Sequence, residues 1–170
     1  RFLAVVRAVD DEAAGADRLQ PFQRLRHPVD VGQGLARDGE GRIAQQMVSY
    51  GPMAFLDVTI PEVERWIEDL YRRLRGDGFE YFKIDFTAMA LKATRFRDMT
   101  VGRGGLLRKT FEAIRRGIGD EAYLLACGAP FESVFGIVDA VRATGDIHNF
   151  WGHVIKNAAS LSARWWMHRR

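Results

Sequence analysis

The stretch Phe79-Glu80-Tyr81-Phe82-Lys83-Ile84-Asp85-Phe86 decides the fold. Its aromatic and branched residues read as a β-strand that runs onto a carboxylate. Upstream, Val63, Trp66, Ile67, Leu70 and Leu74 recur at helical spacing, and Gly76 and Gly78 close that helix. Thr59 and Glu62 have the spacing of a capping box, and Pro61 lies in the first turn. The run MAFLDV (53–58) before them reads as a further strand ending on Asp57. Downstream, residues 87–105 carry many charges and no clear periodicity, a long connection for a βα unit. Leu107, Phe111, Ile114 and Ile118 mark a second helix that stops near Gly119. EAYLLAC (121–127) is a third strand ending at the turn Gly128-Ala129-Pro130, and DAVRAT (139–144) is a fourth. Val154, Ala158, Leu161 and Trp165 fit a last helix. Strands alternating with helices imply βαβ units and a parallel sheet. Of the first fifty residues, 2–9 read as a strand, 10–26 as a helix and 27–50 as a polar, glycine-containing loop.

Composition narrows the function. With 170 residues, 47% hydrophobic and 28% charged, the chain is neither disordered nor collagen-like nor a membrane-embedded bundle. The net charge of +3 comes without a Lys/Arg stripe, so no nucleic-acid partner is expected. Cys127 is the single cysteine, which excludes an internal disulfide framework and a cysteine-rich zinc site. No apolar run approaches the ~20 residues that span a bilayer, so no membrane partner is expected. A signal-peptide pattern is absent from this sequence, and the expected location is the cytoplasm. The GRGG string (102–105) has no strand immediately before it and is a weak phosphate-loop signal.

Polar groups collect at the C-terminal ends of the strands: Asp57, then Lys83 and Asp85, then Cys127, then Arg142 and Asp146. That rim is where loops of a parallel α/β protein build a site. Each residue also has a plain structural reading. Asp85 sits in an apolar run and needs a partner; Lys83, two residues away on the same strand face, would form a structural ion pair with it. Asp146 has the position of an N-cap for a helix starting near Asn149. Arg142 on a central strand requires a carboxylate or a ligand. Cys127 is a small buried filler more often than a nucleophile. His148 and His153 are five apart, off the i, i+4 zinc pattern, and no metal site is expected. Trp165 and Trp166 read as packing residues.

FEYFKIDF, followed by LLACGAP and then VDAVRATGD, resembles the melibiase-type α-galactosidases of glycoside hydrolase family 36. Members carry a Lys-x-Asp strand, a Cys-Gly-x-Pro turn and an Arg-x-x-x-Asp strand end in that order. Here these are Lys83-Ile84-Asp85, Cys127-Gly128-Ala129-Pro130, and Arg142 with Asp146. LDVTIPEV (56–63), FEAIRRGIGDEAYLLACG (111–128) and SARWWMH (162–168) are similar to the family's connecting segments. The match runs from about His27 onward, and residues 1–26 depart from it.

The resemblance implies a (β/α)8 TIM-barrel fold. Such a barrel takes about 250 residues, so residues 1–170 are expected to form a partial catalytic barrel, roughly its middle strands and helices. It implies Asp85 as catalytic nucleophile and Asp146 as general acid/base. Lys83 would hydrogen-bond sugar hydroxyls beside the nucleophile, and Cys127 and Arg142 would line the pocket near the sugar 2-hydroxyl. Asp57 would touch the sugar from a neighbouring strand end, and Trp151 would wall the site. The implied partner is an α-galactoside, with no cofactor and no metal, and a homo-oligomer of the full-length enzyme stays open. Elementary electrostatics agrees for Asp85, because Lys83 beside it favours the ionised form. Asp146, with a less cationic neighbourhood, is expected to hold its proton longer, the asymmetry that glycoside hydrolysis needs.

Three alternatives stay open on sequence alone. One is a glycosidase for another α-linked sugar. The second is an aldolase-like barrel with Lys83 as an imine-forming lysine. The third is a truncated barrel that binds sugar without turnover. The 170-residue chain on its own is expected to be inactive, since a barrel lacking strands leaves open parallel edges.

Overall fold

The computed structural model describes residues 33–48 and 51–168. The strand expected over residues 2–9 and the helix expected over 10–26 lie outside the described residues.

The centre is a parallel sheet of three strands, β3 (Tyr81–Ile84), β4 (Tyr123–Cys127) and β5 (Ala140–Arg142), in that order. These are the strands read from FEYFKIDF, EAYLLAC and DAVRAT. Side chains alternate across a strand. Phe82, Ile84, Leu124 and Ala126 therefore point to one face, where they are buried. Helices α1 (Pro61–Gly76) and α2 (Gly102–Ile118) cover that face. Val63, Ile67 and Tyr71 of α1 meet Phe111, Ile114 and Ile118 of α2 in one core. The opposite face carries Tyr81, Lys83 and Tyr123, all exposed, with the two tyrosine rings stacked 5.5 Å apart.

The two helices touch at backbone distance. A Cβ on Gly117 would lie 2.5 Å from the Glu68 carbonyl oxygen and 2.9 Å from the Tyr71 Cβ. Ion pairs flank this contact: Glu64 meets Lys109 at 3.1 Å and Arg116 at 2.7 Å, and Glu68 meets Arg116 at 2.9 Å. Gly117→Ala must push the helices apart, and it is expected to cost about 1–3 kcal/mol in urea unfolding. A loss below about 0.5 kcal/mol would show that the contact yields freely.

Several expectations fail, each for a local reason. The capping box does not form: Ile60 is the N-cap of α1, without a side-chain cap, and Pro61 is its first residue. The Thr59 hydroxyl is spent instead on Asp57 Oδ1, at 2.6 Å. MAFLDV does not join the parallel sheet. Its first residues belong to β2 (Gly51–Ala54), antiparallel to β1 (Gln45–Val48), and Leu56 meets Leu35 in an isolated bridge. Within the run, Phe55 joins a satellite cluster with Ala36, Ala44 and Ala93, while Val58 and Leu56 pack with the main core. The loop expected over 27–50 thus contains a strand. Asp38 sets a turn before it by accepting the Glu40 and Arg42 N–H groups at 2.9 and 3.0 Å. GRGG, a weak phosphate-loop signal in the sequence, forms the first turn of α2.

The last helix, α3 (Trp151–Ser162), exists, but its expected apolar face does not pack inward among the described residues. Val154, Ala158 and Leu161 are exposed, and Trp165 lies in a separate 3₁₀ turn. The helix docks through polar groups. Asn157 Nδ2 donates to the Gly145 carbonyl at 3.4 Å, and Ser160 Oγ to the Ala143 carbonyl at 2.8 Å. Just beyond it, Arg164 lies 4.7 Å from the Phe131 ring centre. No described helix is long and apolar enough to cross a membrane.

Candidate active site

Register brings the polar strand ends together. Ile84 pairs with Ala126, so Asp85, the next residue, stands level with Cys127; Cys127 itself pairs with Arg142. Asp85, Cys127 and Arg142 form one row across the C-terminal edge of three adjacent strands. Gly128 then takes φ +73°, which lets the chain turn sharply off β4.

Asp85 is ionised and surrounded by donors. Lys83 Nζ is 3.3 Å from Oδ2, and the Phe86 N–H donates to Oδ1 at 2.7 Å. Burial draws its carboxyl upward, but the Cys127 thiol, the Phe86 N–H and Lys83 together hold it below the usual carboxylate range. The Lys83 pairing matches the plain structural reading and the catalytic one alike. Cys127 is fully buried, and burial together with the adjacent Asp85 charge pushes its thiol up to about 11. It is therefore a neutral proton donor near pH 7, not a thiolate nucleophile.

Phe86 is a residue the sequence reading passed over. It sits at φ 58°, ψ 15°, the only left-handed non-glycine among the described residues. That conformation costs about 1–3 kcal/mol for a bulky side chain, and no local sequence signal announces it.

At the other end of the row, Arg142 Nη1 donates to Asp146 Oδ1 at 2.7 Å. Asp146 is not a helix cap, since Phe150 occupies the N-cap of α3. The expectation of a less cationic surrounding for Asp146 fails, because its partner is a guanidinium. Arg142, half-buried on the edge strand β5, is thus paired with a carboxylate, while its buried Nε has no hydrogen-bond partner among the described residues. Beside it opens a cleft of about 290 Å³, lined by Gly128, Pro130, Arg142, Thr144, Lys156 and Asn157 among others. Of these the sequence reading had singled out Arg142 and the Gly128 and Pro130 turn; Thr144, Lys156 and Asn157 carried no motif.

Asp57 stands apart from the row. It is 3% exposed, and its carboxylate accepts the Thr59 N–H at 3.0 Å, the Thr59 hydroxyl and, through Oδ2, the Arg97 N–H at 2.7 Å. Its own N–H donates to the Gly34 carbonyl at 2.9 Å. In this structure it ties the start of α1 to the 95–98 segment. Asp57→Ala orphans those donors and is expected to destabilise the chain by about 2–4 kcal/mol, read as a fall in the urea midpoint. An unchanged midpoint would deny it that role. Trp151 opens α3 and is 71% exposed, off the row. Among the described residues no group of three or more His, Cys, Asp or Glu side chains is placed to hold a metal ion.

The comparisons bear on this arrangement. No family model matches the chain. Among solved structures, TtGalA, an α-galactosidase from Thermus thermophilus in complex with stachyose, aligns over 77% of this chain with a TM-score of 0.57 and 29% identity. The same enzyme with p-nitrophenyl α-D-galactopyranoside aligns over 78% with a TM-score of 0.55 and 30% identity. This chain resembles part of an α-galactosidase. It covers 29% and 30% of those two chains, less than a third of their length. The α/β fold, parallel strands alternating with helices, matches part of a glycosidase catalytic domain.

Proposed function

We propose that this chain is the central part of the catalytic barrel of a retaining α-galactosidase of the melibiase type. The observation that supports it best is the row itself: an ionised, donor-clamped Asp85 beside Cys127 and Arg142, with Asp146 held on Arg142. The likeness to the Thermus enzyme points the same way, and its bound stachyose and aryl galactoside suggest terminal α-galactosides as substrates.

In this reading an Asp85 oxygen attacks the anomeric carbon from the β face. The glycosidic C–O bond breaks, and Asp146 gives its proton to the departing oxygen. Asp146 then takes a proton from water, whose oxygen displaces Asp85 and restores the α configuration. Arg142 Nη1, now on Asp146 Oδ1 at 2.7 Å, is placed to donate to a sugar hydroxyl as well. Lys83 Nζ lies 3.3 Å from Asp85 Oδ2, beside the attacking group in this reading.

The test is hydrolysis of p-nitrophenyl α-galactopyranoside by the complete enzyme, followed by proton NMR. Galactose released first as the α anomer supports the reading. The β anomer first would mean inversion, with Asp85 acting as a base, and no turnover would favour a sugar-binding barrel.

A further inference from the structure

Asp85 is held by two neutral donors that the displacement chemistry itself does not call on. The left-handed turn at Phe86 folds its N–H back onto Asp85 Oδ1 at 2.7 Å. From the neighbouring strand, buried Cys127 stands level with Asp85, and its thiol is among the groups that hold that carboxyl below the usual range. Thr87 Oγ1 closes the corner by reaching the Cys127 carbonyl at 3.4 Å. We propose that Phe86 and Cys127 are positioning residues that lock the Asp85 carboxylate in one orientation, the thiol acting as a permanent hydrogen-bond donor and never as a nucleophile. The proposal rests on Asp85 being the attacking group.

Three arguments carry it. A bulky residue persists at positive φ only where its surroundings over-determine it, and such outliers cluster where orientation matters. Here the outlier directly follows the carboxylate and delivers its hydrogen bond. The charged neighbours are poorer clamps: Lys83 is 46% exposed on β3, and Arg142 on β5 is drawn to Asp146. A thiol kept protonated by burial beside a carboxylate does not lose its donor proton across neutral pH.

The test is a ¹³C NMR titration of the Asp85 carboxyl in the chain, in wild type, Cys127→Ala and Cys127→Ser. The alanine variant should raise the midpoint by about 1–2 pH units, and serine, which still donates, should return it close to wild type. An unmoved midpoint in Cys127→Ala overturns the proposal. So does serine behaving like alanine, because cysteine would then only fill space. Phe86→Val should raise the midpoint while Phe86→Asn, which tolerates the left-handed region, should not; equal midpoints overturn the part given to the turn. If Cys127→Ala fails to fold, the S–H stretching band of the single cysteine decides the matter. It should move to higher frequency in Asp85→Asn, and a fixed band overturns the proposal. None of these readouts needs a sugar. A mobile midpoint with an active Asp85→Asn enzyme would sink the hydrolase reading and leave the clamp. An inactive Asp85→Asn enzyme with a fixed midpoint would do the reverse.

Discussion

Asp85→Asn in the complete enzyme is expected to lower hydrolysis of an aryl α-galactoside by on the order of 10⁴-fold or more, the scale seen when a covalent nucleophile is removed. The substitution keeps shape and removes charge. An amide oxygen still accepts the Phe86 N–H that now reaches Asp85 Oδ1 at 2.7 Å, so the turn at β3 should survive. What disappears is the attacking oxyanion, together with the ion pair to Lys83. Folding and sugar binding should therefore persist while turnover does not, and the loss should fall on kcat rather than KM. Asp85→Gly opens room for a small anion. Added azide should then restore part of the turnover of an activated substrate and give a β-galactosyl azide, since one displacement replaces two. Near-normal kcat in Asp85→Asn would remove Asp85 from the role of nucleophile.

Legibility differed between the two ends of the site, for physical reasons. Strands β3, β4 and β5 were readable because each is a short apolar run bounded by turn residues. Helices α1 and α2 were readable because Val63, Ile67, Phe111 and Ile114 repeat at the period of a buried stripe. β1 was not. Gln45–Val48 pairs with β2 through backbone groups, and backbone pairing leaves no side-chain pattern in QQMV. The same holds for Phe86, whose left-handed conformation runs against its own residue preference. Asp57 was misleading in another way. A carboxylate at a strand end reads alike whether it faces a ligand or, as here, backbone N–H groups of Thr59 and Arg97. Arg142 and Asp146 are four residues apart in a segment that is not helical, so spacing did not foretell their pairing. α3 kept its apolar pattern, yet among the described residues Val154 and Leu161 stay exposed and Asn157 and Ser160 make the docking hydrogen bonds.

The pairing of Arg142 with Asp146 gives the general-acid assignment a sharper test than the family likeness does. Where Asp146 protonates the departing oxygen, its removal should matter in proportion to the basicity of that oxygen. Asp146→Ala in the complete enzyme is expected to slow hydrolysis of natural α-galactosides by about 10²–10⁴-fold, the usual contribution of a positioned acid. Dinitrophenyl α-galactosides leave unaided, so their first step should be spared. The second step still lacks its base. A galactosyl intermediate on Asp85 should accumulate and appear as a burst of dinitrophenolate. Because Arg142 loses its carboxylate partner at 2.7 Å, the variant also leaves an uncompensated guanidinium beside the cleft. Asp146→Asn serves as the control that keeps a hydrogen-bond acceptor there. If Asp146 is the acid, Asn and Ala should show the same dependence on leaving group. If Asp146 serves only to hold Arg142, Asn should rescue what Ala loses, and both substrates should slow alike in single-turnover measurements. That outcome would place the proton donor elsewhere and leave Arg142 as the functional member of the pair.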